Sequence, residues 1–247
     1  MSNIIVDNLS IKFRVYHDRS PSLKDFFASL FRRNKKSAYS DFWAVKNVSL
    51  KMHAGERIGI VGHNGAGKST LLKALCRIYE PSSGSIRVNG RIAPLLEIGA
   101  GFHPEFTGRE NIYLNGSILG YSNAQLKEIE DGVIAFAELE EFIDTPVKYY
   151  SSGMYMRLAF SLATAMHPDI LVLDEVFAGG DAAFVNKAKE RMHNLIDKAN
   201  IMIMVSHDHD LILSLCNRVI WMDHGIPVAD GAPGEVVERY LTGRIHG

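Results

Sequence analysis

The chain has 247 residues, 47% of them hydrophobic, and its 27 basic and 28 acidic side chains give a formal net charge of −1. That length and apolar content suit one large domain that buries a real core and folds alone. The near-zero charge argues against a general nucleic-acid footprint and leaves any membrane contact to a local feature.

The first stretch, NIIVDNLSIKFRVY, alternates as an edge strand does, and its start at Met1-Ser2-Asn3 does not read as a signal peptide. In SLKDFFASLFRRNKK, Leu23, Phe26, Phe27, Leu30 and Phe31 recur at helical spacing behind a capping pair, Ser22 and Asp25. A short amphipathic helix over about 20–36 is expected. Two readings of it stand: its apolar face covers its own domain, or that face and the basic RRNKK meet a membrane partner or anionic lipid. FWAVKNVSLKMHAGERIGIVG then gives two strands around the turn signal His53-Ala54-Gly55.

From Lys68 to Tyr79 the pattern is helical, and PSSGSIRVNG reads as a turn and a short strand. Thr107 and Glu110 form a capping pair before NIYLNGSIL, and SNAQLKEIEDGVIAFAELEEFI continues as helix. A further helix runs from about Ser152 to a stop at His167-Pro168, followed by the apolar strand ILVLDE, a helix from Val185 to Lys198 and the strand IMIMVSHD. RVIWMDHGIPVADG predicts a hairpin turning at Asp223-His224-Gly225, before a last helix from Gly234. Apolar strands alternating with helices predict an α/β fold, with a parallel sheet covered on both faces. No run approaches the roughly 18 apolar residues of a spanning helix, so the chain is expected to be soluble by itself. Cys76 and Cys216 lack metal-ligand spacing and sit in apolar patterns, which predicts buried thiols in a reducing compartment.

GHNGAGKST fits G-x-x-x-x-G-K-[ST], directly after the strand IGIV and directly before a helix. In this phosphate loop, Gly62, His63, Asn64, Gly65, Ala66 and Gly67 let backbone N–H groups curl around phosphate oxygens at a helix N-terminus. Lys68 brings a point charge to the β and γ phosphates, the Ser69 hydroxyl can ligate magnesium, and Thr70 closes the motif. Asp174 and Glu175 end a buried strand, where open α/β sheets bind ligands. Asp174 is expected in the magnesium shell and Glu175 as the general base on the attacking water. His207, after the strand IMIMVS, is placed to reach a γ-phosphate, and a catalytic role is given to no other of the ten histidines. Together these residues predict ATP hydrolysis with Mg2+.

In YYSSGMYMRLAF, residues 150 to 161, Ser151, Ser152 and Gly153 front an apolar helix. Either a serine caps its own helix, or the exposed N–H groups serve a phosphate held by a second copy, giving a head-to-tail dimer with ATP in the seam.

Along nearly its whole length the chain resembles ABC transporter ATPase subunits. GHNGAGKST matches their P-loop, ILVLDE their Walker B strand with its catalytic glutamate, YSSGM their signature, Gly180-Asp181 their D-loop and Ser206-His207 their switch histidine. The signature departs from L-S-G-G-Q at Tyr150, Ser152 and Met154, while Ser151, Gly153 and Arg157 remain. The resemblance implies a P-loop NTPase core with an antiparallel β region and a helical subdomain at about 100–165, all within one domain of residues 1–247. It also implies that the signature serines and Asp181 face the partner's ATP. Tyr39 falls at the position that stacks on adenine; a core role for it is the alternative, and Phe42 or Trp43 can substitute. Glu97 stands where a glutamine usually links magnesium and water to the permease, so a metal contact there is open.

SSGM, LLEIGAGFHPEFTGRENIYLNG and the insertion before FWAVKNVSL resemble the ATPases that export lipid-linked polysaccharide such as O-antigen, capsule or teichoic acid. The implied partners are a second copy and a separate membrane permease, without nucleic acid, at the cytoplasmic face of the bacterial inner membrane. The chain stops soon after its last helix, so the C-terminal glycan-binding domain of some members is not expected. An importer or drug-exporter ATPase is the alternative within the class, and a soluble ABC protein the alternative outside it.

Overall fold

A computed structural model describes residues 2–16, 39–96, 98–174 and 182–243. The expected helix at about 20–36, and with it Glu97, Glu175, Gly180 and Asp181, lie outside the described residues. Two sheets share the core. One is antiparallel, in the order β2-β1-β4, from β1 (Asn3–Tyr16), β2 (Tyr39–His53) and β4 (Ser83–Asn89). The alternation read in β1 was that of an edge strand, yet β1 is the middle strand, paired to β2 from Asn3↔His53 to Tyr16↔Tyr39 and to β4 from Asn3↔Asn89. Alternation marks one buried face, and it carries no information on whether both hydrogen-bonding edges are used.

The second sheet runs β5-β6-β7-β3-β8-β9, with β3 (Arg57–Val61), β5 (Ile92–Leu95), β6 (Ile170–Asp174), β7 (Ile201–Val205), β8 (Arg218–Asp223) and β9 (Ile226–Gly231). All neighbours are parallel except the β8–β9 hairpin. Its central strands are apolar throughout because both faces are covered. In β7, Ile201, Ile203 and Val205 pack with β1, β2 and the helix α1 (Lys68–Leu75), whereas Met202 and Met204 pack on the far side. There they meet α5 (Ala182–Lys198) and α7 (Pro233–Thr242), with Ile212 of α6 (His209–Leu215). Each fully buried aliphatic side chain is worth about 1.5–3 kcal/mol, so the packed sheet is a firm mount for the loops at its end.

A third apolar cluster joins α2 (Gly108–Ile118), α3 (Asn123–Ala137) and α4 (Ser152–Ala163) through Ile112, Val133, Ile134, Leu158 and Leu162. The expected capping pair Thr107 and Glu110 forms a reciprocal box, and Ser122 with Gln125, which was not anticipated, makes another; the pair Ser22 and Asp25 lies outside the described residues. Several helices end earlier than their apolar pattern. Arg77 (φ 59) and Glu138 (φ 58) adopt left-handed backbone just after α1 and α3, and Thr164 folds its hydroxyl back to the Phe160 carbonyl at 2.7 Å after α4. Among the described residues no helix is long and apolar enough to cross a membrane.

Candidate active site

β3 delivers the chain into the phosphate loop at the carboxyl edge of the sheet. Gly62 has φ 150, and a Cβ there would lie 2.2 Å from the Met222 carbonyl oxygen. Gly67, with φ 97, would meet the Ala44 carbonyl oxygen at 2.3 Å and is the N-cap of α1, with no side chain to cap it. Only glycine permits this path, so the first-turn N–H groups of α1 are left to an anion. Lys68 is buried to 7% exposure, and its ammonium donates to the carbonyls of Gly62 at 2.7 Å and His63 at 3.1 Å. The loop is also tied to its neighbours, since Gly225 N–H donates to the Ala66 carbonyl at 3.0 Å and Lys46 N–H to the Gly225 carbonyl at 2.9 Å.

A cleft of about 260 Å³ opens over this loop. Asn64, Gly65, Ala66, Gly67, Lys68, Ser69 and Thr70 line it, together with Asp174 from the end of β6 and Val205 and His207 from the end of β7. Three chain segments far apart in sequence thus reach one place because β3, β6 and β7 are adjacent and parallel. His207 sits in the short link where the Asp208 N–H donates to the Ser206 hydroxyl at 3.0 Å and the Asp208 carboxylate caps α6 by accepting from Leu211 N–H at 3.0 Å. A larger cavity, about 630 Å³, shares His207, but its wall is mostly apolar, from Leu173, Met192, Ile196, Met204 and Leu211, with Lys189 and His193 beside them and no backbone-amide loop. The chemistry therefore belongs to the smaller cleft, where amides, a cation and oxygen donors converge.

Other expected residues fall elsewhere. Tyr39 is not among the residues of the cleft: its ring lies 4.8 Å from the guanidinium of Arg14, and Trp43 is similarly covered by Lys12 at 5.5 Å. Phe42 and Ala44 line the cleft instead, and Phe42 is 53% exposed. Period-two alternation separates Phe42 from Tyr39 and Trp43, and the irregularity between the pairs Ile11↔Val45 and Lys12↔Trp43 leaves adjacent Ala44 and Val45 both buried. The ring of His63 is also outside the cleft, paired with Asp223 at 2.8 Å. Ser151, Ser152 and Gly153 lie at the start of α4, away from this cleft, where the Ser151 hydroxyl accepts from Met154 N–H at 3.2 Å. Within one chain, then, Ser151 does cap its own helix.

Sequence reasoning missed the asparagines that hold the loop leading into α2. Asn111 is fully buried; its side-chain amide donates to the carbonyls of His103, Phe106 and Thr107 and its oxygen accepts from His103 N–H at 2.7 Å. Asn115 donates to the Ala100 carbonyl at 2.6 Å. The available signal was two asparagines four residues apart, on the helical face that carries Ile112.

The fold and the cleft define the class: a P-loop ATPase domain of the ATP-binding cassette type. The ABC transporter family model matches residues 45–178, and the chain belongs to that family. It is 47% identical over 197 residues to the O-antigen export system ATP-binding protein RfbB of Myxococcus xanthus, which covers 80% of this chain and 45% of that protein. With RfbE of Yersinia enterocolitica, an O-antigen export system ATP-binding protein, it shares 40% identity over 92% of this chain and 96% of the relative. The teichoic acids export ATP-binding protein TagH of Lactococcus lactis is 38% identical over 96% of this chain and 50% of its own length. The chain thus spans about half the length of some of these relatives and nearly all of another. Among solved structures, an ATP-binding subunit of an ABC transporter superposes with a TM-score of 0.67 at 21% identity, over 99% of this chain and 95% of the other. The dimeric post-hydrolysis state of the ATP-binding cassette MJ0796 bound to ADP and Pi gives 0.66 at 19%, over 93% and 98%; these two likenesses establish the fold.

Proposed function

We propose that this chain is the ATP-hydrolysing subunit of an exporter of lipid-linked polysaccharide, of the O-antigen, capsule or teichoic-acid type. The names of its relatives support the substrate class, and the convergence of the phosphate loop, Asp174 and His207 on one cleft carries the chemistry. The loop N–H groups and Lys68 bind the β and γ phosphates. Ser69 and Asp174 bring hard oxygen donors to the same cleft, a donor set that suits Mg2+. Magnesium, when bound, neutralises charge on the phosphates. Glu175 takes the proton of the attacking water and His207 holds the γ-phosphate. Phe42, rather than Tyr39, stacks on the adenine, because it is the aromatic side chain exposed in the cleft. The role carried over to Glu97, at the Q-loop position, is contact with the metal or water, and that of Asp181, in the D-loop, is contact with the twin copy.

The site is completed by a second copy, whose Ser151, Ser152 and Gly153 approach the γ-phosphate from the other side in a head-to-tail homodimer. The residues form one domain, 1–247, working against a membrane permease at the cytoplasmic face of the inner membrane. The decisive experiment is Glu175→Gln. ATP binding is expected to survive with turnover nearly abolished, and hydrolysis at the wild-type rate would overturn the assignment.

A further inference from the structure

Beside the nucleotide cleft, but turned away from it, His63, Asp223 and His224 bring their ligating atoms within 4.8 Å of one another. His63 belongs to the phosphate loop, and the other two belong to the β8–β9 turn. The His63 Nδ1 lies 2.7 Å from the Asn64 carbonyl oxygen, and Nε2 lies 2.8 Å from Asp223 Oδ1. Both neighbours accept hydrogen bonds and neither donates. A neutral imidazole carries a single N–H, so in either tautomer one of these two oxygens faces a ring lone pair. A cation held between Nε2 and the carboxylate, with Nδ1 donating to the carbonyl, satisfies both contacts at once.

His224 favours the cation. Its Nε2 lies 3.9 Å from the same Asp223 oxygen, and its ring centroid is 5.0 Å from that of His63 at an interplanar angle of 60°. The backbone of His224 is left-handed, at φ 45, a conformation that side-chain-bearing residues seldom adopt. The contacts of 2.8 and 3.9 Å bracket the roughly 3.3 Å that separates ligands around a tetrahedral ion with bonds of about 2.0 Å. Two imidazoles and a carboxylate form a borderline-soft set that suits Zn2+ and its first-row neighbours and differs from the all-oxygen donors in the cleft.

We propose that His63, Asp223 and His224 form a transition-metal site of the Zn2+ class, separate from the magnesium position, that ties the phosphate loop to the β8–β9 turn. The two segments already interlock through backbone, by the bond from Gly225 N–H to the Ala66 carbonyl and by the close approach of Gly62 to the Met222 carbonyl. An ion here adds a side-chain clamp on the outer side of the loop. Solvent reaches it, since the His224 side chain is 82% exposed, and water supplies the fourth ligand.

The test uses the full chain without a polyhistidine tag, metal-stripped and nucleotide-free, titrated with Zn2+ by calorimetry and with Co2+ by visible absorption. One ion per chain is expected, with a Kd on the order of micromolar and four-coordinate Co2+ bands. Asp223→Asn and His224→Asn should each weaken binding by about tenfold or more and remove the bands. Asparagine tolerates left-handed backbone, so His224→Asn keeps the turn. Absence of binding up to about 100 micromolar Zn2+, or equal binding by wild type and His224→Asn, would overturn the site and leave a plain His63–Asp223 hydrogen bond. The outcome does not depend on whether the chain hydrolyses ATP.

Discussion

Phe42 and Tyr39 lie three positions apart on β2, and an odd spacing on a strand puts them on opposite faces. Phe42 looks into the nucleotide cleft, while Tyr39 rests against Arg14. Stacking of a base on an aromatic ring is worth about 1–3 kcal/mol, so Phe42→Ala is expected to weaken ATP binding by roughly 5- to 150-fold, with Tyr39→Ala close to wild type, in a fluorescent-nucleotide titration. The reverse ranking would return the role to Tyr39. Lys68→Ala should lose nucleotide binding in the same assay, because the variant removes the ammonium that lines the cleft. Of the two thiols, Cys216 is buried and Cys76 half-buried. Burial pushes Cys76 and Cys216 up to about 12, so both stay protonated in the folded chain at pH 8 and should react with a thiol reagent at speed only after denaturation. The sign for stability follows from linkage: the unfolded thiols lose their protons first, so stability contributed below about pH 9 is lost as pH rises from there towards 12.

The start of α4 and the start of α2 are capped alike, yet only one has been assigned a further task. Ser151 accepts from Met154 N–H at 3.2 Å, and Thr107 accepts from Glu110 N–H at 3.1 Å. Replacing either by alanine costs about 1 kcal/mol, which thermal unfolding would register in both variants. If Ser151 also meets the partner's phosphate, Ser151→Ala alone will reduce ATP-driven dimerisation and turnover, with Thr107→Ala as the matched control. Equal behaviour of the two would reduce Ser151 to a cap. The capping pair at α2 and the glycine loop before α1 were legible in the sequence because each depends on residues within one turn. Other features were not. β5 is four residues long and contains Pro94, which only an edge strand accepts, so it carries almost no period. The ends of α1 and α3 are set by left-handed Arg77 and Glu138, where no glycine announced a stop. The middle position of β1 depends on pairing with β4, some 80 residues away in sequence. That Phe42 rather than Tyr39 lines the cleft was not legible for a related reason: alignment fixes a position along a strand, whereas the face a side chain takes follows from the strand's pairing.

One cleft supplies amides, a cation and oxygen donors for one side of a triphosphate, while the serine-led end of α4 lies away from it on the helical cluster. A chain that met both halves of its own site would have to bring α4 over its own phosphate loop, against the packing that holds α4 to α2 and α3. Two-fold pairing achieves the contact without that, since an isologous dimer presents each copy's α4 to the other's cleft and makes two equivalent sites. This arrangement can be tested by mixing two inactive variants. Lys68→Ala removes the phosphate-loop contribution of its chain. Gly153→Asp places a carboxylate where the γ-phosphate would approach, and the fold accepts it, because a Cβ at Gly153 meets nothing nearer than the Ser151 hydroxyl at 3.8 Å. Each variant alone forms dimers in which every site is damaged. In a mixture, about half of randomly paired dimers are mixed, and each mixed dimer contains one site with both defects and one site with neither. ATP hydrolysis should therefore appear on mixing, although neither preparation hydrolyses ATP by itself. A mixture that stays silent at concentrations where dimers form would mean that each chain completes its own site, and the head-to-tail arrangement would be lost with it.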